Sequence, residues 1–159
     1  MIESSYLKES SALIEKLRQI PTLELFDEKD LQGALQLSKM RKYEPGELIL
    51  EEGSHDNWIY FLVSGKVRIV KYGKQLTVLS RRGDVFGEMG VIDGSARSAS
   101  AYAIDETVCL ATDSSYIDKL SGNDKLAFCY ILFRVFAEVL ANRLRVTSEE
   151  LIKAKGYWL

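Results

Sequence analysis

The hydrophobic pattern changes period twice along the chain. Leu13, Ile14, Leu17 and Ile20 recur at helical spacing before Pro21, and Asp27 is placed to cap a second helix through Leu31, Ala34 and Leu35. From Met40 the texture becomes short apolar, β-branched and aromatic runs, LILEEG, WIYFLVSG, KVRIVKYG and KQLTVLSRRG, each closed by a glycine-containing turn. That punctuation predicts antiparallel strands. ARSASAYAI and ETVCLATD supply two more strand candidates, after which Ser114 or Ser115 would cap a short helix through Tyr116, Ile117 and Leu120. Asn123 then caps one long helix from Asp124 towards Gly156, a stretch without proline.

Within that last helix, Phe133, Ala137, Leu140, Leu144, Thr147, Leu151, Ala154 and Trp158 alternate spacings of four and three. This is a heptad seam. An apolar stripe ordinarily packs on its own fold, but the polar Thr147 in the seam needs a partner for its hydroxyl. A ligand at the seam of a homodimer would provide one. The organisation expected is therefore N-terminal helices over 1–38, a sheet region over 39–113 and C-terminal helices over 114–159, forming a single domain.

Composition narrows the function. A chain of 159 residues builds one domain with a proper core, and a formal net charge of −2 leaves no basic footprint for nucleic acid or an anionic membrane. Cys109, Cys129 and the single histidine, His55, cannot make a disulfide framework or an ordinary zinc site. No signal peptide is legible at the N-terminus, and the longest apolar stretch, Leu126 to Phe133, is too short to span a bilayer. A soluble cytoplasmic protein is expected. No nucleophile with its base, P-loop or metal triad is present, so the sequence reads as a binding protein and not an enzyme, with no metal and no cofactor.

The chemistry concentrates in FGEMGVIDGSARSAS, Phe86 to Ser100, where the run of strands breaks. A cyclic phosphodiester requires a guanidinium, a hydroxyl and converging backbone N–H groups, and the neighbouring ribose hydroxyl requires a carboxylate acceptor. Arg97, Ser98, Gly87 with the amides around Ala99, and Glu88 would supply all four. Each residue alone would be an ordinary surface or turn residue; their ordered spacing carries the assignment. The segment resembles the phosphate-binding cassette of cyclic-nucleotide-binding domains, with Ala96 where many family members place proline. Pro45-Gly46-Glu47, Glu52-Gly53 and Ile59 to Val67 extend the resemblance over nearly the whole chain. It implies an α+β, mainly β, fold: an eight-stranded antiparallel β-roll, jelly-roll-like, with helices at both ends and the long C-terminal helix as a dimerisation helix.

The helix segment AEVLANRLRVTSEEL also looks like the dimerisation helix of the bacterial catabolite activator protein family, above all in RL-VTSE around Arg143 to Glu149. By that resemblance Thr147 would contact adenine in its own pocket, Ser148 would reach adenine in the partner's, and Arg143 would lie near the ribose and Glu88. The ligand implied is cyclic AMP, with cyclic GMP possible because Ser98 serves the phosphate in one case and can bridge to guanine in the other. Members of that family carry a helix-turn-helix domain after this helix, whereas this sequence stops at Leu159, so no DNA reading is expected. The reading is a cyclic nucleotide sensor that hands its ligand state to an unknown protein. Its rivals are a scaffold that kept the roll and lost the ligand, and a piece or subunit of a larger protein.

Overall fold

The structure is a computed structural model that describes residues 1–5, 7, 15, 18–19, 24, 27–115 and 122–156. Two antiparallel sheets form the body. One has the order β1-β2-β9-β4-β7, from Ile2–Glu3, Ser38–Tyr43, Thr107–Asp113, Trp58–Ser64 and Val85–Phe86; the other, β3-β8-β5-β6, is built from Leu48–Leu50, Ser100–Ala103, Val67–Lys71 and Lys74–Leu79. Three helices are described: α1, Glu28–Gln36; α2, Glu88–Asp93; and α3, Gly122–Ala154. β2 to β9 match in number the eight strands that the family resemblance implies, and the fold class is the one expected. β1 is an addition at the outer edge of β2, pairing Ile2 with Lys42 and Glu3 with Arg41.

The period-two rule explains why β4 reads as an uninterrupted apolar run. Successive side chains point to opposite faces, and both faces of this strand are covered. Tyr60 and Leu62 enter the core between the sheets with Tyr43, Val67, Phe86, Ala101 and Cys109. Ile59 and Phe61 face the other way, joining Leu31 and Leu35 of α1 and Leu132, Val135 and Phe136 of α3. The five-stranded sheet is thus the middle of three layers. The four-stranded sheet has only one covered face, and its edge strand β6 leaves Leu76 and Val78 exposed.

Asp27 caps α1 as predicted, its Oδ1 accepting the Asp30 N–H at 2.8 Å. α3 begins at Gly122, one residue before the Asn123 read as its cap, and Gly156 closes it in a left-handed turn (φ 74°), donating its N–H to Lys153 at 3.0 Å. Its buried apolar residues lie in its first half. Leu132, Val135 and Phe136 face the sheet, whereas the seam positions Phe133, Leu144 and Leu151 are uncovered in this chain. The helix expected at Leu13 to Ile20, that expected through Tyr116 to Leu120, and Tyr157 and Trp158 fall largely or wholly outside the described residues.

Two expectations fail locally. ARSASAYAI is a strand only from Ser100, because the Arg97 N–H donates to Ser54 O and the Gly53 N–H to Arg97 O, both at 2.8 Å, tying this point to the β3–β4 turn. β2, SKMRKY, is a strand that hydrophobic patterning passes over. Its Lys39 and Arg41 reach Glu3 of β1 at 2.9 and 2.6 Å, and Arg41 lies over the Trp58 ring with its carbon 4.2 Å from the centroid. The charged residues are satisfied locally and need not face the core.

Two predictions follow from this packing. A Cβ at Gly65 (φ 90°) would lie 2.6 Å from Glu106 O and 2.7 Å from Thr107 Cα, so Gly65→Ala should lower the unfolding free energy by about 2–4 kcal/mol in urea titration. Wild-type stability in that variant would mean the β4–β5 turn is not built as described. For β1, the Lys39 hydrogen bond first and then Arg41 hold the Glu3 carboxyl below its ordinary value of 4.5, against the opposing effect of burial. A depressed carboxylate contributes stability above its unfolded pKa and loses it as pH falls through the folded one. Protection of the Ser4 N–H, which donates to Met40 O at 2.9 Å, should accordingly fade in hydrogen exchange as the pH falls below the ordinary carboxylate value of 4.5, before the roll unfolds.

Candidate ligand-binding site

Phe86 ends β7 stacked on Tyr60, ring centroids 5.1 Å apart and planes 11° from parallel. The chain then turns at Gly87 in the left-handed region (φ 84°). Only glycine fits there. A Cβ would lie 2.9 Å from Arg97 Nη1 and 3.1 Å from Trp58 O. α2 follows and closes at Gly94, also left-handed (φ 70°), whose N–H returns to Gly90 O at 2.9 Å. The short helix and its two glycine turns carry the chain out and back, so that Arg97 returns beneath Gly87.

Arg97 is only 4% exposed. A guanidinium withdrawn from water requires acceptors on all its edges. Nη1 donates to Gly87 O, Nη2 to Trp58 O and to Asp56 Oδ1, and Nε to Asp56 Oδ2 at 3.4 Å. Asp56 also accepts the Trp58 N–H at 2.9 Å, which fixes its carboxylate. The sequence expectation gave Arg97 to a ligand phosphate. Here it lies in the cavity wall with its donors directed to protein acceptors, and it fastens the cassette to the start of β4. Asp56 is the residue that sequence reasoning missed. Its one signal is indirect: a buried arginine demands a counter-charge, and Asp56 is the acidic residue of the SHDNW turn leading into β4.

Glu88, at 1% exposure, is the most deeply buried carboxylate among the described residues. Its Oε1 accepts a bond from Arg143 Nη1, and Arg143 Nη2 donates to Val85 O. α3 is thereby clipped to the cassette across 55 residues of sequence. Ser98 is exposed, its hydroxyl donating to Met89 Sδ at 3.7 Å and its carbonyl accepting from Lys71 Nζ at 2.6 Å.

These parts enclose a cavity of about 970 Å³. Of the residues predicted for the site, Phe86, Gly87, Glu88, Arg97, Ser98, Ala99, Arg143 and Thr147 all line it. Ser148 does not; it is exposed on α3, next to Thr147. The remaining wall is mixed: Leu76 and Val78 on β6 and Val139, Leu144 and Val146 on α3 are apolar, whereas Ser80, Arg81, Asp84, Asn142 and Glu150, the last one helical turn beyond Thr147, are polar. A pocket of this size, with apolar surface and convergent polar groups, suits a small organic ligand. Cys109 takes no part, because burial pushes its thiol up to about 12 within the roll. No group of His, Cys, Asp and Glu fit to hold a metal ion occurs among the described residues, and no described helix is long and apolar enough to cross a membrane.

A family profile described as the cyclic nucleotide-binding domain matches residues 40–124, more than half of the chain. The cyclic AMP receptor protein of Thermus thermophilus is 36% identical over 132 residues, a span covering 79% of this chain and 56% of that protein. A cGMP-dependent protein kinase of Toxoplasma gondii is 33% identical over 95 residues, 60% of this chain but 9% of the kinase. A solved cyclic nucleotide-binding domain from Methylobacillus flagellatus shares the fold, with a TM-score of 0.80 over 94% of this chain and 88% of that one at 18% identity. This chain therefore spans just over half of the first relative and less than a tenth of the second.

If Asp56 neutralises Arg97, removing its carboxylate leaves a buried cation facing only carbonyl dipoles. Asp56→Ala should cost about 2–4 kcal/mol in urea unfolding, and Asp56→Asn, which retains an acceptor, distinctly less. Equal stability of all three proteins would show that Arg97 does not depend on Asp56.

Proposed function

Because the chain belongs to the cyclic nucleotide-binding domain family, we propose that it is a cyclic nucleotide sensor, binding cyclic AMP by preference and working as a homodimer that passes its ligand state to another protein. The observation that carries this reading is that one cavity wall joins Arg97, Ser98 and Glu88 of the cassette to Arg143 and Thr147 of the long helix. Phosphate oxygens would be held by the Ser98 hydroxyl, the backbone N–H of Ala99 and the charge of Arg97. The ribose hydroxyl would donate to Glu88, which Arg143 already orients. Adenine would lie against the apolar wall with Thr147 beneath it, and Ser148 of each chain would serve the partner's pocket. The apolar side chains that α3 leaves uncovered, Leu144 and Leu151 among them, support a helix–helix seam.

The role is regulatory and not catalytic. The cavity offers acceptors, donors and the guanidinium groups of Arg81, Arg97 and Arg143 but no activated nucleophile or base, so the ligand acts by what it holds together. Phosphate binding would order the cassette, and base binding would draw α3 and its partner helix onto the roll. Ligand and dimer would then be linked, each tightening the other by the same factor. A cytoplasmic location fits such a sensor. Cyclic GMP is the second reading, favoured by the cGMP-dependent kinase among the relatives and by the exposed Ser98 hydroxyl, which has the chemistry to bridge phosphate and guanine.

Isothermal titration with cyclic AMP and cyclic GMP, with light scattering before and after, tests the proposal. Saturable binding of one cyclic AMP per chain is expected, and Arg97→Ala should weaken it about ten- to a hundredfold through lost charge-assisted bonds. Arg97→Lys, which keeps the charge without the fork, controls for misfolding and should fall between. Unchanged affinity in a folded Arg97→Ala protein would remove the cassette from the mechanism; absence of any nucleotide binding would leave the roll as a scaffold.

A further inference from the structure

Among the cassette residues whose side chains are described, Met89 is a large apolar residue left open. It follows Glu88 in α2 and is 49% exposed, whereas Phe86, Glu88 and Arg97 around it are buried. Its side chain lines the cavity, and its thioether sulfur accepts the Ser98 hydroxyl at 3.7 Å. The chain has two other methionines: Met1 at the amino terminus, 55% exposed and remote in sequence from the cassette, and Met40 in β2, partly buried against the core. An exposed thioether is the methionine form that oxidants reach. This one also holds the hydroxyl that the proposed function gives to the phosphate.

We propose that Met89 is an oxidation site that sets the affinity of the cavity for its phosphate ligand, an inference that rests on the functional reading above. A hydroperoxide delivers one oxygen atom to the sulfur: the O–O bond breaks, an S–O bond forms, and the peroxide leaves as water or alcohol. The thioether is oxidised by two electrons and the peroxide reduced by two. Thioether sulfur is a weak acceptor that releases a hydroxyl readily. Sulfoxide oxygen is a strong one, and it stands one bond beyond the sulfur, which brings it within ordinary O–H···O distance of Ser98. The Ser98 proton is then taken. A ligand phosphate loses that donor and meets a partial negative charge in its place, so binding weakens. The change is reversible, because methionine sulfoxide reductases return the thioether.

The test uses the full chain and cyclic AMP as the probe. The protein is treated with limiting hydrogen peroxide, oxidation at each methionine is read by peptide mass mapping, and affinity is measured before, after, and after reductase treatment. Oxidation of Met89 ahead of Met40, an affinity loss of about tenfold and recovery on reduction are expected. Met89→Leu should show no change on peroxide treatment, which separates Met89 from the other two methionines. In Ser98→Ala the loss on oxidation should shrink to about twofold or less, because the contested donor is gone. Saturable binding that is the same before and after complete Met89 oxidation overturns the switch and leaves the sensor standing, as does an equal loss in oxidised Met89→Leu. Failure of the untreated protein to bind any nucleotide overturns the functional reading and the switch with it.

Discussion

A positive charge buried at Arg97 is the constraint on which the rest of the site depends. An isolated guanidinium cannot leave water without paired acceptors, and the fold supplies them from three separate places: Asp56 before β4, Trp58 O at its start and Gly87 O after β7. The residue types follow from that demand. Gly87 must lack a side chain because the guanidinium passes 2.9 Å from where a Cβ would sit, and Gly90 is nearly as confined, with a Cβ position 3.0 Å from Ser95 O. The backbone bonds from residue 97 to residues 53 and 54 hold the return of the loop in register.

Glu88 is the second buried charge, and the two are resolved differently. Asp56 comes from the roll, so Arg97 joins the cassette to a rigid sheet. Arg143 comes from α3, so Glu88 joins the cassette to a helix whose apolar packing on the sheet lies in its first half. Each pair sets one buried member against one partly exposed member, Asp56 in the first and Arg143 in the second, so the difference between them lies in the element that carries the partner. The site therefore has a fixed side and a movable side, and the cavity lies between them.

Much of this was legible in the sequence, for identifiable reasons. FGE and RSAS stand out because left-handed turns admit glycine and buried charge admits few residue types. The strands from Trp58 to Leu79 stand out because glycine turns punctuate them. The RL-VTSE segment led to Arg143 and Thr147 on the cavity wall. β2 was illegible because its two lysines and one arginine are satisfied sideways by Glu3, Glu106, Tyr60 and the Trp58 ring, which leaves no apolar alternation to read. β7 was illegible because it is two residues long. Asp56 was hidden for a different reason: its partner lies 41 residues away, and only the closed roll brings them together. Sequence spacing reports on local geometry, and long-range pairing of charges leaves no trace in it.

The asymmetry between the two buried charges bears on how strongly such a domain can signal. A ligand shifts a conformational equilibrium only by its differential affinity for the two states. In the reading proposed here, a hydroxyl donated to Glu88 competes with or reinforces the Arg143 contact, and one charge-assisted hydrogen bond contributes about 1.5–3 kcal/mol. That corresponds to a coupling of roughly ten- to a hundredfold between ligand and helix position, within the range of ordinary allosteric proteins. Arg97 is poorly suited to that role, because its partners, Asp56, Trp58 O and Gly87 O, lie at the ends of β4 and β7 and none is on α3. In the proposed reading it would secure the ligand's charge in either state and so contribute affinity without bias. The direction of the response would then rest with the helix and whatever covers Leu144 and Leu151, while the cassette supplies the ligand's hold.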